Sequence, residues 1–192
     1  MPHDATRSDT ALALQAQAGD RHAFELLVQR YKGPLYRFAR RYVGTDDDAY
    51  DIVQDAFISA WMALKRYDRN KNFSTWLRAI ALNKCRDLGR RQAVRRRLRG
   101  MVGFFESIRQ AEQAEPDPGD DLREAERLRR LDTAIAELPS FYKEPLLLTT
   151  VGGLTQEDAA KQLGTTTKAI EMRIRRAKKR LDAALSDLKR EG

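Results

Sequence analysis

Between residues 165 and 185 the chain reads TTTKAIEMRIRRAKKRLDAAL. Lys168, Arg173, Arg175, Arg176, Lys178, Lys179 and Arg180 crowd this stretch, and between 168 and 180 only Glu171 opposes them. Guanidinium and ammonium groups at this density meet phosphate oxygens, and arginine adds forked recognition of base edges. Ile170, Ile174, Ala177, Leu181, Ala184, Leu185 and Leu188 recur at three- and four-residue steps among them. The pattern predicts an amphipathic helix with an apolar stripe packed inward and a basic face outward. Taken alone, that face is equally the solvated side of an ordinary helix. Bond chemistry finds no comparable support. His3 and His22 are isolated, and Cys85 falls in a helical pattern, where it reads as an incidental or buried thiol. No glycine-rich phosphate loop and no carboxylate pair at metal-ligand spacing occurs. We expect no catalysis, no cofactor, no metal site and no small-molecule substrate.

The segment in front favours the nucleic-acid reading. In LTQEDAAKQLG, Thr155 is placed to cap a short helix, with Asp158 at its third helical position. Ala159, Ala160 and Leu163 give that helix a small-residue face, and Gly164 can end it in a left-handed turn. Thr165 to Thr167 then offer a cap for the longer helix. A short helix, a tight glycine turn and a longer second helix make a helix-turn-helix. In that motif the start of the second helix enters the major groove while basic side chains meet the backbone.

Composition agrees. The 192 residues carry a net charge of +8 and an isoelectric point near 9.8. Such a balance favours polyanionic partners. One cysteine excludes an internal disulfide, and two histidines leave little for a zinc site. No apolar run reaches the roughly 20 residues a membrane span requires. The polar start MPHDATRSDT lacks the apolar core of a signal peptide. These features predict a cytoplasmic protein without membrane insertion.

Helix signals dominate the remaining chain, and no alternating strand pattern competes. Ser8 and Gly19 bracket a first helix, Asp20 restarts the chain, and Gly33-Pro34 predicts a break before PLYRFARRYVG. Thr45 opens DDDAYDIVQDAFISAWMAL with three acids in the first turn, where the helix dipole favours them. Ile52, Val53, Ala56, Phe57, Ala60, Trp61 and Leu64 form its apolar stripe. KRYDRNKN reads as a polar loop, and a long helix follows with Ser74 as cap. EQAEPDPGDD combines prolines, a glycine and acids, and reads as a linker. Residues 1–98 carry 19 basic and 11 acidic side chains, 99–130 carry 6 and 8, and 131–192 carry 11 and 9. Two basic units therefore flank an acidic connector.

The block DDAYDIVQDAFISAWMAL, a polar loop, then FSTWLRAIALNKCRDLGRR closely resembles region 2 of bacterial RNA-polymerase sigma factors. LPSFYKEPLLLTTVGGLTQEDAAKQLGTTTKAIEMRIRRAKKRL resembles their region 4. The spacing and short connector are similar to the extracytoplasmic-function group, which keeps these two domains alone. The resemblance implies an all-α fold of two small helical domains, 1–98 and 131–192, joined by a flexible linker over 99–130. It implies a subunit that binds core RNA polymerase and promoter DNA, and an anti-sigma factor as inhibitor.

Residue roles follow from the resemblance by position. Asp51, Gln54 and Asp55 match the helix that docks on the clamp coiled coil of the largest polymerase subunit; region 4 would meet the flap. Phe57 and Trp61 of the same motif are expected in the core. Tyr67, Asp68, Arg69, Asn70 and Lys71 match the loop that handles an extruded base of the −10 element, and Asn83 a position near its pocket. Arg78, Lys84, Arg86, Arg90 and Arg91 would meet phosphates of that strand. Thr166, Thr167, Lys168, Glu171, Met172, Arg173, Arg175, Arg176 and Lys179 match the helix that reads the −35 element. Relatives often carry a basic residue and a serine where this chain has Glu171 and Met172, which implies a different −35 preference. Tyr50 stands where relatives often have Glu, and Pro145 lies inside a helix it should bend or shorten. The alternative is a stand-alone helix-turn-helix regulator that binds a palindrome without polymerase.

Overall fold

A computed structural model describes residues 7–100 and 120–188. His3 and the expected path of the connector through 101–119 lie outside the described residues. Eight α-helices appear among those described, and no strand. They are α1 (Asp9–Gln17), α2 (Arg21–Val43), α3 (Asp46–Ala63), α4 (Phe73–Gly100), α5 (Asp120–Glu137), α6 (Ser140–Thr150), α7 (Gln156–Leu163) and α8 (Thr167–Leu188), with a 3-10 turn at Leu64–Arg66. α5 runs across position 130, where the sequence pattern ends the connector.

Local chemistry explains most boundaries. The Ser8 hydroxyl accepts from Ala11 N at 3.2 Å and the Asp20 carboxylate from Ala23 N at 3.1 Å, so each caps its helix. Gly44 ends α2 at φ 90°, a left-handed cap. Two expectations fail. α2 continues through Gly33-Pro34 as one 23-residue helix. Proline removes one hydrogen bond, but Tyr31, Leu35 and Phe38 on either side all pack on the shared core and hold the helix together. α4 is capped by Asn72 and not by Ser74: the Asn72 Oδ1 accepts from Ser74 N at 2.9 Å.

The first domain wraps α1, α3 and α4 around α2. Leu12, Leu27, Phe38, Phe73, Leu77 and Leu82 are fully buried there. Each contributes about 1.5–3 kcal/mol by leaving water. Trp61 departs from the expected core: it is 40% exposed and leans on Phe24 with ring centroids 5.0 Å apart. In the second domain, Ile170, Ile174, Ala177 and Leu181 of α8 pack against Leu146, Leu147 and Leu148 of α6 and Ala159 and Ala160 of α7. Ala184, expected on that stripe, is exposed because α8 has by then run past α6 and α7. α6 carries Pro145 inside it, with the ring fully buried, and still runs 11 residues. At Gly152 a Cβ would lie 2.4 Å from the Leu148 carbonyl oxygen, so only glycine permits the sharp turn out of α6.

The two domains dock through a polar knot. Glu144 is buried and accepts from Arg86 Nε at 2.8 Å and Nη2 at 2.5 Å, and from the Tyr42 hydroxyl at 3.1 Å. Lys143, also buried, donates to the Tyr42 carbonyl at 3.0 Å and to that of Ala136. Its ammonium lies 4.7 Å from the Tyr42 ring centroid. Arg41 and Asp132 add an ion pair at 3.0 Å. Burial pushes the neighbouring Cys85 thiol up to about 12. Truncating Glu144 leaves Arg86 and Tyr42 without their shared acceptor. We predict that Glu144→Ala weakens docking by about 2 kcal/mol. Interdomain distances measured by energy transfer should broaden, and Cys85 should react faster with iodoacetamide at pH 8; unchanged distances and thiol protection would contradict the assignment.

Candidate nucleic-acid interface

In the second domain the helix-turn-helix closes as its sequence dictates. The Thr155 hydroxyl accepts from Asp158 N at 3.0 Å and donates to the Asp158 carboxylate at 2.8 Å. Gly164 caps α7 at φ 62°. Of the three threonines, Thr166 caps α8, its hydroxyl accepting from Ala169 N at 3.2 Å. This turn aims one face of α8 outward. Thr167, Lys168, Glu171, Met172, Arg175, Arg176 and Lys179 are all exposed on it. Arg173 sits at its edge, half-buried, donating to Thr165 Oγ1 at 3.4 Å.

The first domain presents a second basic surface. The loop after the 3-10 turn is shaped by its own side chains. Asp68 accepts from Asn70 N at 2.9 Å, and the Asp68 carbonyl from Lys71 N at 2.9 Å. Asp68, Arg69, Asn70 and Lys71 are exposed at its tip. Tyr67 is not. Its ring is buried against Phe73 and Trp76, and its hydroxyl donates to the Lys71 carbonyl at 2.5 Å. The expectation that Tyr67 faces a nucleic-acid strand is therefore corrected: it supports the loop from within. Trp76 stays half-exposed at a cleft of about 610 Å³ that the loop shares with the start of α7. Arg78 lines the same cleft and donates to Ser74 Oγ at 2.9 Å; burial lowers its pKa.

Along α4 the other basic groups differ in setting. Asn83 is exposed and Lys84 half-buried. Arg90 pairs with Asp87, and Arg91 is exposed. Arg86 is turned toward Glu144 of the second domain, which raises its pKa. It is thus not grouped with Arg78 at the loop. On α3, Asp51, Gln54 and Asp55 share an exposed face. Tyr50 is exposed and packs on Tyr36, with centroids 4.7 Å apart.

Comparison with known proteins decides what carries these surfaces. A family model described as Sigma-70 region 2 matches residues 27–95, and one described as Sigma-70, region 4 matches residues 128–181. The RNA polymerase sigma factor NccH of Alcaligenes xylosoxydans xylosoxydans is 40% identical over 179 residues, covering 92% of this chain and 94% of that protein. The ECF RNA polymerase sigma factor SigW of Bacillus subtilis is 30% identical over 177 residues, covering 91% and 95%. The chain is an RNA polymerase sigma factor of the extracytoplasmic-function group. A solved structure of CnrH in complex with the cytosolic domain of CnrY matches this sigma factor with a TM-score of 0.70, at 32% identity over 94% of this chain and 99% of that one.

Two features of this sigma factor escape its motifs. The face of α3 that begins with Asp51, Gln54 and Asp55 continues into apolar side chains. Ile58 is 58% and Met62 78% exposed, beside the exposed Trp61. Helical spacing of 51, 54, 55, 58 and 62 could have found it. The other is Gln17 at the end of α1. Its amide donates to the carbonyls of Leu64 at 3.0 Å, Lys65 at 3.2 Å and Tyr67 at 3.4 Å. No motif signals a contact 47 to 50 residues away. Among the described residues no group of His, Cys, Asp and Glu could hold a metal ion. Gln17→Ala should leave those carbonyls without their donor and destabilise the domain by about 1–2 kcal/mol. Hydrogen exchange should then rise first in residues 64–72; a uniform rise, or none, would contradict the anchoring role.

Proposed function

We propose that this sigma factor binds core RNA polymerase through α3 and reads a two-part promoter, with its domains over 1–98 and 131–192 each taking one element. One observation carries the reading. A helix-turn-helix with an outward basic face and a separate loop–helix surface rich in cations occur on two differently built domains of one chain. A protein that bound one contiguous site would not need both.

On this reading Thr166, Thr167, Lys168, Glu171, Met172, Arg173, Arg175, Arg176 and Lys179 engage the −35 duplex. Glu171 accepts from cytosine N4 and Met172 meets a thymine methyl. Asp68, Arg69, Asn70, Lys71, Arg78 and Asn83 hold the unpaired −10 strand, with Lys84, Arg90 and Arg91 along its phosphates. Arg86 joins them once Glu144 releases it. Two modest sites on one chain act together when polymerase fixes their separation, because the second binding event becomes intramolecular. The chain works in the cytoplasm and performs no bond chemistry; the polymerase does. Asp51, Gln54 and Asp55 meet the clamp coiled coil by charge, with Ile58 and Met62 supplying apolar area beside them. The second domain meets the flap. CnrH is seen with the cytosolic domain of a second protein, CnrY; a protein bound in that manner holds this chain inactive, as its anti-sigma factor.

Reversal of charge at Asp51→Lys and Asp55→Lys should weaken binding to core polymerase at least about tenfold while helicity is retained. Titration of labelled protein with core polymerase measures this, and unchanged affinity would remove α3 from the interface. Abortive initiation on a bipartite promoter should require both proteins. Glu171→Gln should relax discrimination at one −35 base pair by about 1–3 kcal/mol. A promoter library scored in the same assay checks this, and an unshifted profile would count against base contact by Glu171.

A further inference from the structure

Phe141 has no evident place in the core. It is the second residue of α6, and 53% of it is exposed. An aromatic residue left in water at that level gives up about half of its burial free energy. Its contacts explain the position. The guanidinium carbon of Arg173 lies 3.9 Å from the ring centroid, and the neighbouring Tyr142 ring meets it edge-on at 5.2 Å. Tyr142 in turn lies under Arg180, 5.0 Å from its guanidinium carbon. Arg173 and Arg180 are seven residues apart, two turns along the same side of α8. Consecutive aromatics of α6 thus form a ledge beneath two arginines of the basic helix.

We propose that Phe141 is a positioning residue for Arg173 in recognition of the −35 duplex, a proposal that rests on the reading of α8 as the −35 helix. An unrestrained arginine samples many rotamers and loses that freedom on binding. Here the ring covers one face of the guanidinium, and Thr165 takes one N–H from Nη2. The remaining in-plane N–H groups keep their fork. That fork fits an acceptor pair in one plane, either phosphate oxygens or guanine O6 and N7. The ring therefore lowers the ordering cost of a contact that Arg173 makes. The ring itself touches no DNA. Cation–π contacts are worth roughly two- to fivefold in an equilibrium constant when exposed, and more when partly desolvated, as beside the half-buried Arg173.

The test uses holoenzyme assembled from the full chain and core polymerase, with promoter affinity measured by anisotropy at several salt concentrations. Phe141→Leu keeps the bulk and removes the ring face; Phe141→Tyr keeps the ring. We expect Phe141→Leu to weaken promoter binding about 3- to 10-fold with an unchanged melting temperature. Phe141→Tyr should stay within about twofold of the parent. Introduced beside Arg173→Ala, Phe141→Leu should add nothing. If Arg173 meets phosphate, Arg173→Ala lowers the salt slope by about one; if it meets guanine, it relaxes one base pair of the −35 element at unchanged slope. Parent-like binding by Phe141→Leu, or an equal loss with and without Arg173, overturns the positioning role. Failure of the underlying reading looks different: Arg173→Ala and a scrambled −35 element would both leave affinity unchanged.

Discussion

The buried carboxylate of Glu144 sets the arrangement on which much else depends. A charge taken out of water must be matched where it lies, or the fold carries a cost of several kcal/mol. Arg86 matches it with two hydrogen bonds and Tyr42 with a third. Those partners come from α2 and α4, so Glu144 ties the start of α6 to the long helices of the other domain. Lys143 next to it is satisfied by the carbonyls of Tyr42 and Ala136 and by the Tyr42 ring. The cations and the acid are therefore shared across the junction. A domain parted from its partner would expose groups built to face each other. A purely apolar junction would hold as firmly, yet it would aggregate when opened. The polar knot can part into water.

The same economy runs through both basic surfaces. α8 buries Ile170, Ile174, Ala177 and Leu181 and turns its cations away. The turn at Gly164 and the cap at Thr166 fix how far that face projects. In the first domain the loop tip carries charge while Tyr67 beneath it is packed on Phe73 and Trp76. Gln17 holds the preceding carbonyls from α1. In each case a rigid apolar or hydrogen-bonded base carries a polar tip. A sigma factor needs this, because groups that meet DNA gain most when they are ordered before it arrives.

Sequence and structure agree where the signal is local. The caps at Ser8, Asp20 and Thr155, the turn at Gly164 and the apolar stripe of α8 as far as Leu181 all follow from neighbours a few residues away. The exposure of Asp51, Gln54 and Asp55 likewise follows from helical spacing. One local signal misleads, since Asn72 and not Ser74 caps α4; the other disagreements appear where distant packing decides. Gly33-Pro34 reads as a break, yet α2 is held straight through by the core on either side. Tyr67 reads as a loop aromatic open to a strand, but Phe73 and Trp76 cover it. Trp61 reads as core and is left leaning on Phe24 at the surface. Arg86 reads as one phosphate contact among several, and a glutamate 58 residues away claims it. Neither Glu144 nor Phe141 belongs to any motif that periodicity or spacing marks.

On the proposed reading, this chain opens promoter DNA only as part of a polymerase. Permanganate footprinting reports it most directly, since the reagent oxidises unpaired thymines. With core polymerase and this sigma factor together, thymines at the −10 element should become reactive, and neither protein alone should make them so. Protection of a palindromic site by the chain without polymerase, with no reactive thymines in the mixture, would contradict that dependence on polymerase.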